Sequence, residues 1–199
     1  CAGLRLHCQV LVIHRQDIED MDATKWPNMA KLRANVEKHS DPETASRIVD
    51  DNPVSQSDYD AAKARWVRSL TTALDQRFDP ATAQSIMLGC NCRDRFDEIR
   101  AWIKELYDAS ENMEAFVGKM NELGAGWYMQ DGSLYTKFLS CECPMTQGLD
   151  ALPSMTWCYC SVGYTKDLFE SIFEREVEAE LLQSIKTGAD VCLIKITRK

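Results

Sequence analysis

Apolar residues divide the chain into a helical part and a sheet part. Between residues 59 and 78 they recur every three or four positions, as at Trp66 and Leu70, which predicts an amphipathic helix. The same period predicts shorter helices over residues 28–38, 42–50, 80–88, 94–109 and 112–123. The N-terminal half of the protein is therefore predicted to be helical.

Local signals mark the ends of two of these helices. Ser57 or Asp58 is a candidate N-cap for the helix over residues 59–78. Asp79 followed by Pro80 is a typical start for the next helix. Gly89 is a typical end, because glycine readily adopts the left-handed conformation that closes many helices.

From Gly124 onward the apolar period becomes two, which is typical of strands. Asp131-Gly132 predicts a two-residue hairpin turn between two of them. Strands are predicted over residues 126–130, 133–139, 176–181 and 191–197, and a helix over residues 164–173. The predicted fold class is α+β, with N-terminal helices followed by an antiparallel sheet with packed helices and a cysteine-rich metal loop.

The first 56 residues differ in composition from the remainder. They become polar and charged from Asp17 onward and are interrupted by Pro27, Pro42 and Pro53, although residues 4–12 alternate as a strand would. We predict a peripheral N-terminal segment over residues 1–56. Residues 57–199 are predicted to form a single α+β domain with a cysteine-rich metal site.

Composition narrows the classes of function. An apolar fraction of 45% and a charged fraction of 27% over 199 residues are typical of a globular protein with a sizeable core. The net charge of −8 repels phosphate backbones, so we expect no nucleic-acid partner. We expect no membrane insertion either, because no apolar run approaches the roughly 20 residues that cross a bilayer. The cysteine spacing suits chelation better than disulfides, which favours a reducing cytoplasm.

Three Cys-x-Cys pairs carry the most specific chemistry in the sequence. They contain six of the nine cysteines and are Cys90/Cys92, Cys141/Cys143 and Cys158/Cys160. The last two pairs are separated by residues 144–157, so two short segments joined by a loop would supply four sulfurs to one ion. We predict that these cysteines bind a metal.

A Cys-x-Cys pair holds one ion where its side chains share a face. Residues i and i+2 lie about 200° apart around a helix but on the same side of a strand. Ser140 and Pro144 flank one pair and Ser161 and Gly163 follow the other, so both pairs are predicted to lie in turns. Zn²⁺ is the leading cofactor, since four thiolates form a closed tetrahedral shell; an iron–sulfur cluster is the alternative.

The pair Cys90/Cys92 has two interpretations. It follows the predicted end of a helix and lies next to Arg93 and Arg95, whose charges favour thiolates. The two cysteines either join the downstream pairs in one metal site or are incidental thiols at a helix end. No spacing rule decides between these alternatives.

Three segments of the C-terminal third carry a family pattern: Cys143-Pro144, WCYCSVGY at 157–164 and KTGADVCLI at 186–194. In these segments the chain resembles the 4-vinyl reductase domain and the related L-2-amino-thiazoline-4-carboxylic acid hydrolase family. The resemblance implies an α+β fold with a small-molecule pocket between helices and sheet. The simplest members of these families have fewer cysteines in this region than the Cys-x-Cys pairs supply here. The resemblance therefore predicts the fold better than the activity.

Aromatic residues concentrate around the cysteines. Trp127, Tyr159 and Tyr164 are candidate pocket residues, because aromatic side chains beside a pocket hold flat ligands. Cys192 shares a strand face with Ile194, which favours a buried apolar cysteine. The family resemblance implies the alternative, in which Cys192 lines the ligand pocket.

These patterns favour a cysteine-ligated metal-binding protein with a small-molecule pocket, acting as a sensor or carrier of a small organic molecule. The alternative is an enzyme. The resemblance implies a hydrolase of a small cyclic amino-acid derivative such as L-2-amino-thiazoline-4-carboxylate, whereas a cluster held by up to six thiols would suit an iron–sulfur reductase. No catalytic residue stands out in the sequence. The oligomeric state stays open, with a homodimer among the alternatives.

Overall fold

The computed structural model describes residues 28–51, 54, 58–91, 97–141 and 143–199. Within this part of the chain there are seven α-helices: α1 Met29–Lys38, α2 Pro42–Ala45, α3 Asp60–Arg77, α4 Pro80–Leu88, α5 Asp97–Asp108, α6 Met113–Glu122 and α7 Tyr159–Phe173. The four strands are β1 Tyr128–Gln130, β2 Ser133–Phe138, β3 Val177–Gln183 and β4 Cys192–Arg198. The predicted α+β class is confirmed. The strand predicted over residues 4–12 lies outside the described residues.

The four strands form one antiparallel sheet in the order β1-β2-β4-β3. The hairpin between β1 and β2 turns at Asp131 and Gly132, whose φ angles of 49° and 74° match the sequence signal. Strand β4 lies between β2 and β3, and its first residue, Cys192, is opposite Phe138 at the end of β2. This register brings the start of β4 next to the segment that carries Cys141.

The core lies between one face of the sheet and the helices. Leu134, Ile194 and Ile196 are at most 3% exposed on that face, and α7 packs against β3. Phe169 and Ile172 of α7 are buried in the same cluster. Burying each of these side chains contributes about 2 kcal/mol to folding, so this contact fixes α7 on the sheet.

The N-terminal part of the described chain shares this core. Leu32 and Val36 of α1 are fully buried, as is Val49 in the turn of π-helix over Ser46–Asp50. Residues 28–51 belong to the segment predicted to be peripheral, and in the structure they contribute apolar side chains to the single core cluster.

Helix α7 begins earlier than the sequence suggested. It starts at Tyr159 after a 3₁₀ turn over Thr156–Cys158, whereas a helix from Tyr164 was predicted. Gly163 was taken as a turn residue, but it lies inside the helix and is needed for packing. A Cβ at Gly163 would lie 2.0 Å from the Leu88 carbonyl oxygen, so α7 meets the end of α4 backbone to backbone. None of the helices in the described ranges has the length and apolarity to cross a bilayer.

Candidate functional site: an apolar cavity with a thiol wall

A cavity of about 410 Å³ lies between the inner face of the sheet and helices α5, α6 and α7. Its apolar wall includes Trp102, Met120, Trp127, Phe138, Trp157, Tyr164, Leu168, Phe169, Leu181 and Ile194. Lys137 is the one charged residue among the described lining residues, and it is exposed. A volume of this size is in the range of small-molecule sites, and its wall suits an uncharged, largely apolar molecule.

Aromatic contacts make one side of the cavity rigid. The ring of Trp127 lies 5.4 Å from that of Phe169 and 5.9 Å from that of Phe116, both edge to face. Asn121 holds the backbone of Trp127 at both ends, since its amide nitrogen donates to the Trp127 carbonyl and its oxygen accepts from the Trp127 N–H, each at 2.7 Å. These contacts fix the orientation of the Trp127 indole in the cavity wall.

Four cysteines form part of the same wall. Cys141, Cys143, Cys158 and Cys192 all line the cavity and carry thiols rather than disulfides. They come from three different parts of the chain: the segment after β2, the start of α7 and the start of β4. We call these four side chains the thiol wall.

The backbones of Cys141 and Cys143 are held by two side chains that follow them in the sequence. The Gln147 amide donates to the carbonyl oxygens of Cys141 and Cys143, at 3.2 and 3.1 Å. The Thr146 hydroxyl donates to the Cys143 carbonyl at 3.2 Å and lies 3.4 Å from the Cys141 sulfur. The backbone carbonyl groups of both cysteines are therefore oriented by hydrogen bonds.

Ser184, at the end of β3, organises the other two thiols. Its hydroxyl is fully buried, lies 3.3 Å from the Cys158 sulfur and accepts a hydrogen bond from the Lys186 N–H at 3.2 Å. The neighbouring Ile185 N–H donates to the Cys192 sulfur at 3.4 Å. The turn between β3 and β4 thus supplies polar contacts to both sulfurs.

Lys186 joins this turn to the loop that follows the Cys141 segment. Its ammonium donates to the Leu149 carbonyl, and its own carbonyl accepts from the Leu152 N–H, both at 2.6 Å. The two loops that carry the thiol wall are consequently fixed to each other.

The environment keeps two of these thiols protonated. Burial raises the pKa of Cys158 to about 12; the Ser184 hydrogen bond opposes this shift, whereas negative charge on Cys192, Cys141 or Cys143 adds to it. Burial also raises the pKa of Cys192. The raised pKa makes Cys158 a poor nucleophile without a cation beside it.

The structure groups only part of the predicted metal set. Cys160 follows Cys158 by two positions but lies in α7, where it is 1% exposed, away from the cavity lining, with its sulfur 4.0 Å from the Ser161 hydroxyl. The prediction of a turn here was wrong. Because residues two apart in a helix diverge by about 200°, the two side chains point to different sides.

Cys90 lies apart from the thiol wall. It is fully buried after α4, where its sulfur is 3.4 Å from the Ile86 carbonyl and 3.9 Å from the Asn35 amide nitrogen. Cys92 lies outside the described residues. As the side chains stand, no three His, Cys, Asp or Glu residues within the described ranges are arranged to hold a metal ion.

Three of the four predicted pocket residues line the cavity: Trp127, Tyr164 and Cys192. Tyr159 is not part of that lining; it is 8% exposed, and burial together with the charge of Glu180 raises its pKa. Sequence reasoning did not find Gln147 and Ser184. Their roles depend on hydrogen bonds to backbone and sulfur, for which no spacing rule exists.

The family model described as a family of unknown function, DUF6144, matches residues 23–199, so the chain belongs to that family. No curated protein matches the sequence. Among solved structures, the chain is similar to a crystal structure of an H-NOX protein from S. oneidensis in the Fe(II)NO ligation state, with a TM-score of 0.43 and 14% sequence identity. That match covers 88% of this chain and 99% of the other.

Proposed function

We propose that this protein binds a small, largely apolar organic molecule in the cavity, as a sensor or carrier, and holds a metal ion at the thiol wall beside it. The observation that carries the proposal is the presence of four cysteines, from three parts of the chain, in the lining of one largely apolar cavity. A cavity without carboxylates or guanidinium groups in its described lining favours an uncharged ligand.

The ligand set that we propose is Cys141, Cys143, Cys158 and Cys192. It differs from the set expected from spacing, because Cys192 takes the place of Cys160. Rotation of the cysteine side chains about χ1 is needed to bring the four sulfurs onto one ion, and metal binding would release the thiol protons. Ser184, Ile185 and Gln147 support the site through the hydrogen bonds already described.

Zn²⁺ is the proposed ion. Four thiolates close its tetrahedral shell and leave no position for water, so the ion would brace the cavity wall rather than activate a nucleophile. An iron–sulfur cluster accepts the same four ligands, and a hydrolase or reductase activity remains a prediction of the sequence alone. Protein purified anaerobically distinguishes the ions: zinc gives a colourless protein, whereas a cluster gives broad visible absorbance.

The ligand proposal is tested with an uncharged fluorescent probe, N-phenyl-1-naphthylamine. We expect saturable binding with a rise in fluorescence on addition to the wild-type protein. Ala125→Phe places a ring on the cavity wall and should weaken binding by tenfold or more. Ala101→Phe is the matched control, because Ala101 is exposed on α5 and is not part of the cavity lining.

Circular dichroism and thermal unfolding establish that both variants fold. Equal probe affinity in folded Ala125→Phe and in the wild type would contradict binding in the cavity. Absence of saturable binding to the wild type would contradict the proposal of an apolar ligand.

A further inference from the structure

A second cleft lies along helix α3. It has a volume of about 370 Å³ and is formed by one face of α3 and the π-helical turn over Ser46–Asp50. Its apolar part includes Ile48, Trp66, Leu70 and Ala73, and Ser69 and Gln76 add polar groups. The cleft shares no lining residue with the cavity of the proposed function.

Two guanidinium groups give this cleft its charge. Arg47 reaches it from the π-helical turn and Arg77 from the last turn of α3. No carboxylate is among the described residues that line it. The protein has a net charge of −8, whereas this cleft has two arginines and no carboxylate in its described lining and is therefore locally positive.

Two carboxylates in this region accept hydrogen bonds from other groups. Asp50, in the same turn as Arg47, accepts a hydrogen bond from Arg33 at 2.9 Å. Asp41, whose pKa is lowered mainly by Thr44 and slightly by Arg77, accepts from the Thr44 N–H and hydroxyl, each at 2.8 Å. Neither Arg47 nor Arg77 has a carboxylate within ion-pair distance in the described part of the chain.

The backbone beside Arg47 is unusual. Residues Ser46–Asp50 are wound as a π-helix, closed by the Asp51 N–H donating to the Ser46 carbonyl at 3.3 Å. Single π-helical turns are uncommon and are found often at functional sites. Here the wider turn follows α2 directly and presents Arg47 and Ile48 to the cleft.

Trp66 connects the cleft to the main cavity. Its ring lies 5.7 Å from that of Trp157 at an interplanar angle of 88°, and Trp157 is part of the cavity wall. The two indoles therefore form a shared partition, with the cleft on the Trp66 side and the cavity on the Trp157 side.

We propose that the cleft binds a small organic anion, a carboxylate attached to a flat apolar body. The two guanidinium groups recognise the carboxylate oxygens through charge-assisted hydrogen bonds, which arginine makes in pairs. Leu70, Ala73 and the edge of Trp66 receive the apolar body. The cleft and the main cavity share no lining residue, so each would hold its own molecule.

The test is a calorimetric titration of the full chain with 2-naphthoate and with its uncharged counterpart 2-naphthamide. We expect saturable binding of 2-naphthoate that weakens with added salt, and at least tenfold weaker binding of 2-naphthamide. Arg47→Gln and Arg77→Gln should each weaken 2-naphthoate binding by tenfold or more. Arg47→Lys keeps the charge but loses the planar fork, so it should weaken binding by less than Arg47→Gln.

Arg65→Gln is the matched control, because Arg65 is an exposed arginine of α3 outside the cleft whose guanidinium contacts the Tyr59 hydroxyl at 2.8 Å. Its affinity for 2-naphthoate should equal that of the wild type. The proposal is overturned if the folded wild type does not bind 2-naphthoate, if 2-naphthamide binds as tightly, or if the folded double variant Arg47→Gln/Arg77→Gln retains wild-type affinity.

Discussion

The sulfur of Cys158 lies 3.3 Å from the hydroxyl of Ser184, and this contact joins the start of α7 to the end of β3 inside the cavity wall. Residues 158 and 184 are far apart in sequence, so the contact depends on the tertiary fold. The Ser184 hydroxyl also accepts from the Lys186 N–H, so one buried group organises both the β3–β4 turn and a thiol. Removing it should affect both stability and metal binding.

Replacement of Ser184 by Ala should lower the free energy of unfolding by about 1–3 kcal/mol, because the half-buried Lys186 N–H loses its acceptor, the buried Ser184 hydroxyl. Urea unfolding of the metal-free protein measures this effect. Ser171→Ala, at an exposed position of α7, is the control and should stay within about 0.5 kcal/mol of the wild type. An equal stability of the two variants would contradict the organising role of Ser184.

Replacement of Gln147 by Ala should weaken zinc binding by about tenfold, because the variant loses the amide that holds the Cys141 and Cys143 carbonyls. Its stability without metal should change little, since Gln147 is exposed. Competition with a chromophoric chelator gives the affinity. Gln130→Ala, at an exposed position of the hairpin, is the control and should bind zinc like the wild type. If Gln147→Ala also binds zinc with wild-type affinity, the hydrogen bonds of Gln147 to the two cysteine carbonyls do not support the site.

Gly163 and Gly118 both lie in helices, but substitution by alanine should have opposite effects on stability at the two positions. Gly163→Ala should destabilise the protein by about 3 kcal/mol, since the new methyl group would meet the Leu88 carbonyl of α4 at 2.0 Å. Gly118→Ala should stabilise it by about 0.5–1 kcal/mol, since nothing lies within 4 Å of the added atom and alanine favours a helix. Thermal unfolding measures both. A neutral Gly163→Ala would disprove the close contact of α4 with α7.

Asp79 gives the protein a predictable response to acid. Its pKa is lowered first by the Thr82 hydroxyl, at 2.6 Å, and then by backbone N–H groups at the start of α4. A lowered pKa in the folded state means that the stabilisation is present above the ordinary aspartate pKa of about 3.9 and is lost as the pH falls through the folded-state value.

Asp79→Asn keeps a good N-cap but does not titrate. Its stability should therefore fall less than that of the wild type as the pH is lowered from about 5 to 2. Asp41→Asn should respond in the same direction, because Thr44 lowers the pKa of Asp41 in the same way. If the free energy of unfolding depends on pH in the same way for Asp79→Asn and the wild type in this range, Asp79 does not contribute to the acid response.

Elements defined by adjacent residues could be predicted from the sequence. Asp79 caps the helix that follows it, as predicted, and its side-chain oxygen accepts from the Thr82 N–H. The hairpin at Asp131-Gly132 was predicted for the same reason, since the turn chemistry is complete within a few residues. The prediction that Ser57 or Asp58 caps α3 was wrong, because the N-cap is Tyr59 and its side chain makes no capping hydrogen bond.

The candidate site could be predicted only in part, because it depends on contacts distant in sequence. Cys192 joins the thiol wall through the pairing of β4 with β2, and spacing alone contains no information about that pairing. Gly163 was predicted to be a turn residue, whereas it lies in a helix where only glycine is small enough to pack against the Leu88 carbonyl. The sequence contains no signal for this contact. The incorrect prediction placed Cys158 and Cys160 in a turn and assigned them to one ion.

The zinc K-edge X-ray absorption spectrum of the protein tests the central claim most directly. It should show four sulfur ligands at about 2.3 Å, with the same shell in Cys160→Ser and only three sulfurs in Cys192→Ser. The thiol wall would be contradicted as the metal site if the zinc-loaded wild type shows nitrogen or oxygen ligands, or if the protein does not bind zinc. It would also be contradicted if Cys160→Ser, rather than Cys192→Ser, loses one sulfur ligand.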